Sequence, residues 1–115
     1  MTIIPSENNN IKKVIQYLKR NFNQPIKIKD MAKQISVSER TFMRYFKKTT
    51  GELPNQYLQK LRVEKAKQLL LNTQDSFEYI TYCVGYSNSS SFRRLFKKLT
   101  GLNPKEYRIY FLIKI

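Results

Sequence analysis

The residues of this chain best equipped for chemistry are cationic, and they come in two spaced sets. Arg40, Arg44, Lys47 and Lys48 form the first, and Arg93, Arg94, Lys97 and Lys98 repeat the arrangement fifty positions later. A guanidinium presents a planar fork of donors that matches O6 and N7 of guanine, whereas an ammonium is a compact charge suited to a phosphate oxygen. Between Asn88 and Thr100 no acid interrupts the second set, although an ordinary solvated face mixes both signs. Over the whole chain 22 Lys and Arg stand against 8 Asp and Glu, a net charge of +14. That excess implies a polyanionic partner, with nucleic acid first and an anionic membrane second.

Other chemistries are poorly supplied. There is no histidine, the eight carboxylates are scattered, and Cys83 is the single cysteine. Neither a general base for a nucleophile, nor a zinc ligand set of the usual spacing, nor an internal disulfide can be assembled from these. The expectation is therefore a protein that is not an enzyme, with no metal and no cofactor, and with Cys83 as an ordinary thiol beside the core. No apolar stretch approaches the ~20 residues that span a bilayer, and the polar start from Thr2 to Asn10 lacks the order of a secretory signal. A cytoplasmic, nucleoid-associated protein with no membrane partner is expected.

The cations must be held by something, and 41% hydrophobic residues with 7 Phe and 8 Tyr exclude a disordered basic tail. Ile11, Val14, Ile15, Leu18 and Phe22 recur at helical spacing, with Asn10 as the expected cap and Pro25 as the stop. Ile28, Met31, Ala32 and Ile35 predict a short second helix; Ser36-Val37-Ser38 then breaks it, and Ser38 is placed to cap a third helix carrying Phe42 and Phe46. Gly51 ends that helix. Pro54 opens a fourth that runs to about Asn72 through Tyr57, Leu58, Leu61, Ala66, Leu69 and Leu70. Nineteen such residues make a rod of roughly 28 Å. Phe77, Ile80, Thr81 and Val84 predict a fifth helix, Gly85-Tyr86-Ser87 a turn, and Phe92 and Phe96 a sixth closed by Gly101 and followed by Pro104. The predicted fold is all-α and homeodomain-like, with seven helices: a flexible segment 1–9, a helix-turn-helix subdomain 10–53, a linker helix 54–72 and a second helix-turn-helix subdomain 73–115.

An internal repeat ties the two cationic sets to this framework. When residues 38–57 are laid on residues 88–107, nine of the twenty coincide: Phe42, Arg44, Phe46, Lys47, Lys48, Thr50, Gly51, Pro54 and Tyr57 each meet their own type. A helix-turn-helix also wants a small residue in its first helix, a flexible one four later and an apolar one about six further on. Ala32, Ser36 and Phe42 supply these in the first half; Thr81, Gly85 and Phe92 do so in the second, with one extra residue in the turn. Ser36 is a poorer choice than glycine where the backbone needs a positive φ.

From Ile11 to Arg108 the chain resembles the DNA-binding domain of the AraC/XylS family of transcription regulators. The most specific stretch runs from Val84-Gly85-Tyr86-Ser87 through Ser91-Phe92-Arg93-Arg94-Leu95-Phe96-Lys97-Lys98 to Thr100-Gly101, Pro104 and Tyr107-Arg108. Pro54, Tyr57-Leu58, Arg62, Ala66 and Leu69-Leu70 resemble the family's linker helix, and Lys27 stands where many members have a capping Ser or Thr. The resemblance implies two recognition helices inserted into successive major grooves of double-stranded DNA, whose spacing of about 34 Å is close to the linker length. It maps base contacts onto Arg40, Met43 and Arg44. Since Phe42 and Phe46 face the core, Arg40, Met43, Arg44 and Lys47 lie on or beside the opposite face. In the second helix Ser89, Ser90, Arg93 and Arg94 are the base-contacting candidates, with Arg94 ahead of Arg93 because it pairs with Arg44 in the repeat. Ser38, Thr41, Lys47, Lys48, Asn88, Ser91, Lys97 and Lys98 are candidates for the DNA backbone, where helix N-termini and ammonium groups suit an anion.

The resemblance tilts the expected role to activator. Many members carry an effector-binding domain ahead of this one and a few are single-domain regulators; both arrangements stay open, as does contact with RNA polymerase. The competing reading is a non-specific architectural or RNA-binding protein, which would use the same charge without needing paired recognition helices. Tyr107 to Ile115 is apolar for a terminus, either because it extends helix seven over the core or because it meets a partner.

Overall fold

The computed structural model describes the backbone of residues 5–113 and the side chains of residues 8–112. Among the described residues there are seven helices and no strand: α1 (Pro5–Asn21), α2 (Ile28–Lys33), α3 (Glu39–Thr50), α4 (Pro54–Asn72), α5 (Phe77–Cys83), α6 (Ser89–Thr100) and α7 (Pro104–Ile113). The expected boundaries of α3 and α4 are met at their caps. The start of α1 is not: the helix begins at Pro5, so Asn10 lies inside it rather than capping it. Pro5 suits a first helical position because its missing N–H has no intrahelical partner there anyway.

The helices form two compact units that divide within α4, one running to Gln59 and the other from Lys60. In the first, Ile11, Val14 and Leu18 of α1, Met31, Ala32 and Ile35, and Leu58 are buried with Phe42 and Phe46 of α3, the helix against which α1 and α2 both pack. In the second, Val63, Ala66 and Leu70 of α4 join Phe77, Ile80, Val84, Phe92 and Phe96. Each fully buried Phe or Leu contributes about 1.5–3 kcal/mol by leaving water. The repeated residues occupy equivalent places. Phe46 meets Tyr57 edge-on with centroids 5.6 Å apart, and Phe96 meets Tyr107 in the same way at 5.3 Å.

Both recognition-type helices are also stopped alike. The amides of Gly51 and Gly101 donate to the carbonyls of Lys47 and Lys97, each at 2.8 Å, and the hydroxyls of Thr50 and Thr100 donate to Phe46 and Phe96, again at 2.8 Å. The Lys47 and Lys97 carbonyls, orphans at these two helix ends, are thereby satisfied within the chain, and the Phe46 and Phe96 carbonyls take the threonine hydroxyl as a second donor. At the start of α7, Asn103 and Glu106 form a reciprocal box: the Asn103 amide donates to Glu106 Oε1 at 2.9 Å and the Glu106 amide to Asn103 Oδ1 at 2.8 Å.

Two arginines brace the second unit. Arg108 of α7 donates from Nε to the Leu70 carbonyl at 2.8 Å and from Nη2 to the carbonyls of Thr73 and Asp75 at 3.2 and 2.7 Å, capping the C-terminal end of α4. Arg62 of α4 places its guanidinium 5.3 Å from the ring centre of Tyr86. Burial pushes the Arg62 pKa below its ordinary value, and Tyr86 opposes that shift. The apolar end of the chain divides by face: Tyr107 packs on Phe96 and Phe111 on Tyr107, while Ile109, Tyr110 and Leu112 are exposed. The last two residues lie outside the described part.

Candidate nucleic-acid interface

Each half turns its chain in the same way before presenting a basic helix. Ser36 and Gly85 both adopt left-handed backbone, with φ of 56° and 92°. The amides that follow them, Val37 and Tyr86, reach back to the carbonyls of Ala32 at 3.2 Å and Thr81 at 3.1 Å. This is the closing bond of a Schellman-type helix end, and in both halves the residue that accepts it, Ala32 or Thr81, is buried. The first half forces a serine into a conformation that glycine adopts without strain. Lys27 supplies no side-chain cap to α2; instead the Asp30 carboxylate accepts from the Lys27 amide at 3.0 Å.

The basic helices start at the expected caps. Ser38 Oγ accepts from the Thr41 amide at 3.2 Å, and Asn88 Oδ1 accepts from the Ser91 amide at 2.9 Å. Ser38 is five residues beyond the end of α2 and Asn88 is five beyond the end of α5, but Asn88 is three past Gly85 whereas Ser38 is two past Ser36. The extra turn residue thus falls between Gly85 and the cap, where Tyr86 stacks on Phe92 with centroids 4.6 Å apart.

With Phe42 and Phe46 wholly buried, helical geometry puts Arg40, Arg44 and Lys47 in one exposed row on the far side of α3, with Lys48 beside it. Met43 and Thr41 flank the row and are half-buried. In α6 the matching row is Ser90, Arg94 and Lys97, again opposite two buried phenylalanines, with Lys98 and the exposed Ser91 to one side. Ser90, Arg93, Arg94, Lys97 and Lys98 line a shared concave surface with Asn103. Ser89 does not join it, because it lies half-buried on the core side of the helix. Ser38 is already engaged as a cap and donates its hydroxyl to Thr41 Oγ1 at 2.9 Å.

The two sets of cations differ in what holds them. The guanidinium of Arg44 lies 5.6 Å from the centre of the Tyr45 ring and makes no ion pair among the described residues. Arg93 is tied to α5: Nη2 is 3.2 Å from Glu78 Oε1, and the guanidinium lies 5.3 Å from the centre of the Phe77 ring. Arg94 makes a long contact of 3.4 Å from Nη2 to Ser91 Oγ. Glu78 was not among the candidate residues, and the signal that could have found it is its place one residue after Phe77 in the helix facing α6. Asp75 and Glu78, three apart, are the one close pair among the scattered acids, and the structure separates their roles, since Glu78 is spent on Arg93.

A family profile described as a helix-turn-helix domain matches residues 31–109, which is most of the chain. A solved AraC-type DNA-binding-domain regulator from Chromobacterium violaceum superposes with a TM-score of 0.83 at 26% identity, covering 92% of this chain and 95% of its own. The chain belongs to the AraC/XylS family. This AraC/XylS domain is also 34% identical over 95 residues to the HTH-type transcriptional activator RhaS of Escherichia fergusonii, covering 83% of this chain and 34% of RhaS. The DNA-binding domain of AdpA, a global transcriptional factor solved with a target DNA, superposes with a TM-score of 0.87 at 25% identity, covering 91% of this chain and 95% of that one. The AraC/XylS domain described here spans about a third to two fifths of the length of the curated relatives it matches. Among its described residues no helix is long and apolar enough to cross a membrane, and no three His, Cys, Asp or Glu side chains are grouped to hold a metal ion.

Proposed function

We propose that this AraC/XylS domain binds double-stranded DNA at a sequence-specific, two-part site through α3 and α6, and that it serves transcription regulation as an activator without catalysing a reaction. The observation that carries this reading is the duplicated exposed row: Arg40, Arg44 and Lys47 in one head, and Ser90, Arg94 and Lys97 in the other, each opposite a buried Phe pair and each behind a turn closed by the same backbone bond. A non-specific polyanion binder has no need of two such rows built on matching supports. The names of RhaS, an activator, and of the AdpA complex with target DNA support the same reading.

Within the rows, Arg44 and Arg94 are the leading base readers, since each is exposed and centred opposite the core; Arg40 and Ser90 stand one turn before them. Arg93 reads from the flank, restrained by Glu78, and Met43 offers a thymine-facing methyl from the half-buried edge of α3. Ser89, turned to the core side, has the least access. Lys47, Lys48, Lys97 and Lys98, with the N-terminal groups Ser38, Thr41, Asn88 and Ser91, serve the phosphates. The site of action is the nucleoid in the cytoplasm, and RNA polymerase and an effector-binding domain are the further partners that the family resemblance suggests.

The test is selection of bound duplexes from a random pool of about 25 base pairs, followed by affinity for the winner against scrambled DNA at fixed salt. Two conserved blocks about one helical turn apart, bound roughly a thousandfold better than scrambled DNA, are expected. Tight, salt-sensitive binding with no consensus would instead make the chain an architectural protein.

A further inference from the structure

Behind the reading face of α6, the second unit carries another concavity of about 550 Å³, within the range of small-ligand sites. Leu70, Phe77 and Ile109 give it an apolar lining, Arg93, Lys105 and Arg108 give it three cations, and no acid lines it. We propose that this groove binds a small amphipathic anion, a carboxylate or sulfonate on an apolar body about the size of one or two rings, and that its occupant competes with DNA for Arg93.

The polar and apolar features each narrow the ligand. Arg108 spends Nε and Nη2 on three backbone carbonyls, which fixes its guanidinium in place and leaves Nη1 with no protein partner among the described residues. Lys105 makes no ion pair among the described residues. Two fixed or unpaired cations beside an apolar lining suit a ligand with one anionic end; a bare phosphate would leave the exposed Ile109 and the outer edge of Phe77 uncovered. The set is peculiar to this half of the repeat, because fifty positions before Arg93, Lys105 and Arg108 stand Met43, Asn55 and Leu58. Arg93 lines both this groove and the concave surface it shares with Arg94 and Lys97. Its contact with Glu78 joins two exposed side chains, the kind of pair that exchanges readily for a competing anion. The competition rests on the DNA-binding reading above; the anion site does not.

The probe is 1-anilinonaphthalene-8-sulfonate, titrated by fluorescence into the 115-residue chain, with N-phenyl-1-naphthylamine as the analogue that lacks the sulfonate. Saturation at one equivalent is expected, with affinity falling about fivefold or more in Lys105→Gln and further in Ile109→Glu, both at exposed positions, and unchanged in Lys13→Gln, which removes the same charge from α1. Equal affinity in all four proteins, a loss in Lys13→Gln instead, or equally tight binding of the uncharged analogue overturns the site. In a second arm, saturating probe is expected to weaken binding of the selected duplex about threefold or more in the parent and not in Ile109→Glu. Probe binding that follows the variants with no change in duplex affinity overturns the competition and keeps the anion site. A chain with no preferred duplex at all refutes the DNA reading, while the first arm still decides the groove.

Discussion

Replacing Arg108 with alanine removes the cap that joins α7 to the end of α4. Three hydrogen bonds are lost, at 2.8, 3.2 and 2.7 Å, all from a charged donor to backbone carbonyls. Bonds of this kind contribute about 1.5–3 kcal/mol each, which would total about 4.5–9 kcal/mol if they were independent. They are not: two share Nη2, and the half-buried site lets water reach some of the released carbonyls. The favourable placement of a cation at a helix C-terminus adds about 0.3–1 kcal/mol. A loss of ~2–4 kcal/mol follows for Arg108→Ala and about half of that for Arg108→Lys, whose ammonium keeps the charge but not the fork. Urea unfolding at about 0.3 M salt, where repulsion among the basic groups is screened, measures it. The midpoint temperature should fall by roughly 4 °C for each kcal/mol. Hydrogen exchange should locate the loss in α5 and α7 with α1 to α3 unaffected. An alanine variant within about 0.5 kcal/mol of the parent would refute the capping role, given the size of the bonds at stake.

Ser36→Gly should stabilise the first unit by about 0.5–1 kcal/mol in urea, the balance of ~1–2 kcal/mol of left-handed strain relieved and ~0.4–1 kcal/mol of added unfolded-state freedom; a destabilised variant would mean the serine side chain contributes something its geometry does not show. Gly101→Ala should cost about 1 kcal/mol by the same measurement, purely from its φ of 83°, since an added Cβ meets nothing within 4 Å; a far larger loss would point to a clash. Arg44→Ala and Arg94→Ala should each relax preference at one base position by about 1–3 kcal/mol in competition against single-base variants of the selected site, and equal losses on specific and random duplex would remove them as base readers. Lys48→Ala and Lys98→Ala should weaken all sequences alike and lower the slope of log affinity against log salt by about one; an unchanged slope would take them off the phosphates.

What could be read from residue types was whatever repeated or punctuated. Gly51 and Gly101, Pro54 and Pro104, and the Phe pairs of α3 and α6 all mark places where a specific backbone or packing need admits few residues, and the structure uses each as expected. The first turns of α1 were invisible because Ser6 to Asn10 carry no apolar residue, so periodicity had nothing to register before Ile11. In α4 the buried Val63 escaped notice for a different reason. The helix serves one core through Leu58 and another through Val63, Ala66 and Leu70, so no single stripe runs its length. The basic rows were legible because Phe42 and Phe46 orient everything else on their helix. The Glu78–Arg93 contact and the core-side position of Ser89 were not, since both depend on how α5 lies against α6.

On each basic helix the side chains that hold the fold and the side chains that face outward are separate sets. Phe42 and Phe46, or Phe92 and Phe96, can stay constant while positions 40, 44 and 47, or 90, 94 and 97, change without opening a cavity. A gene duplication that produced two such heads would therefore leave each free to drift toward its own half of an operator. Selection could retune one block of the target while the other continued to anchor the protein, and an experimenter could exchange the outward residues between the heads as a cassette, keeping each head's own turn.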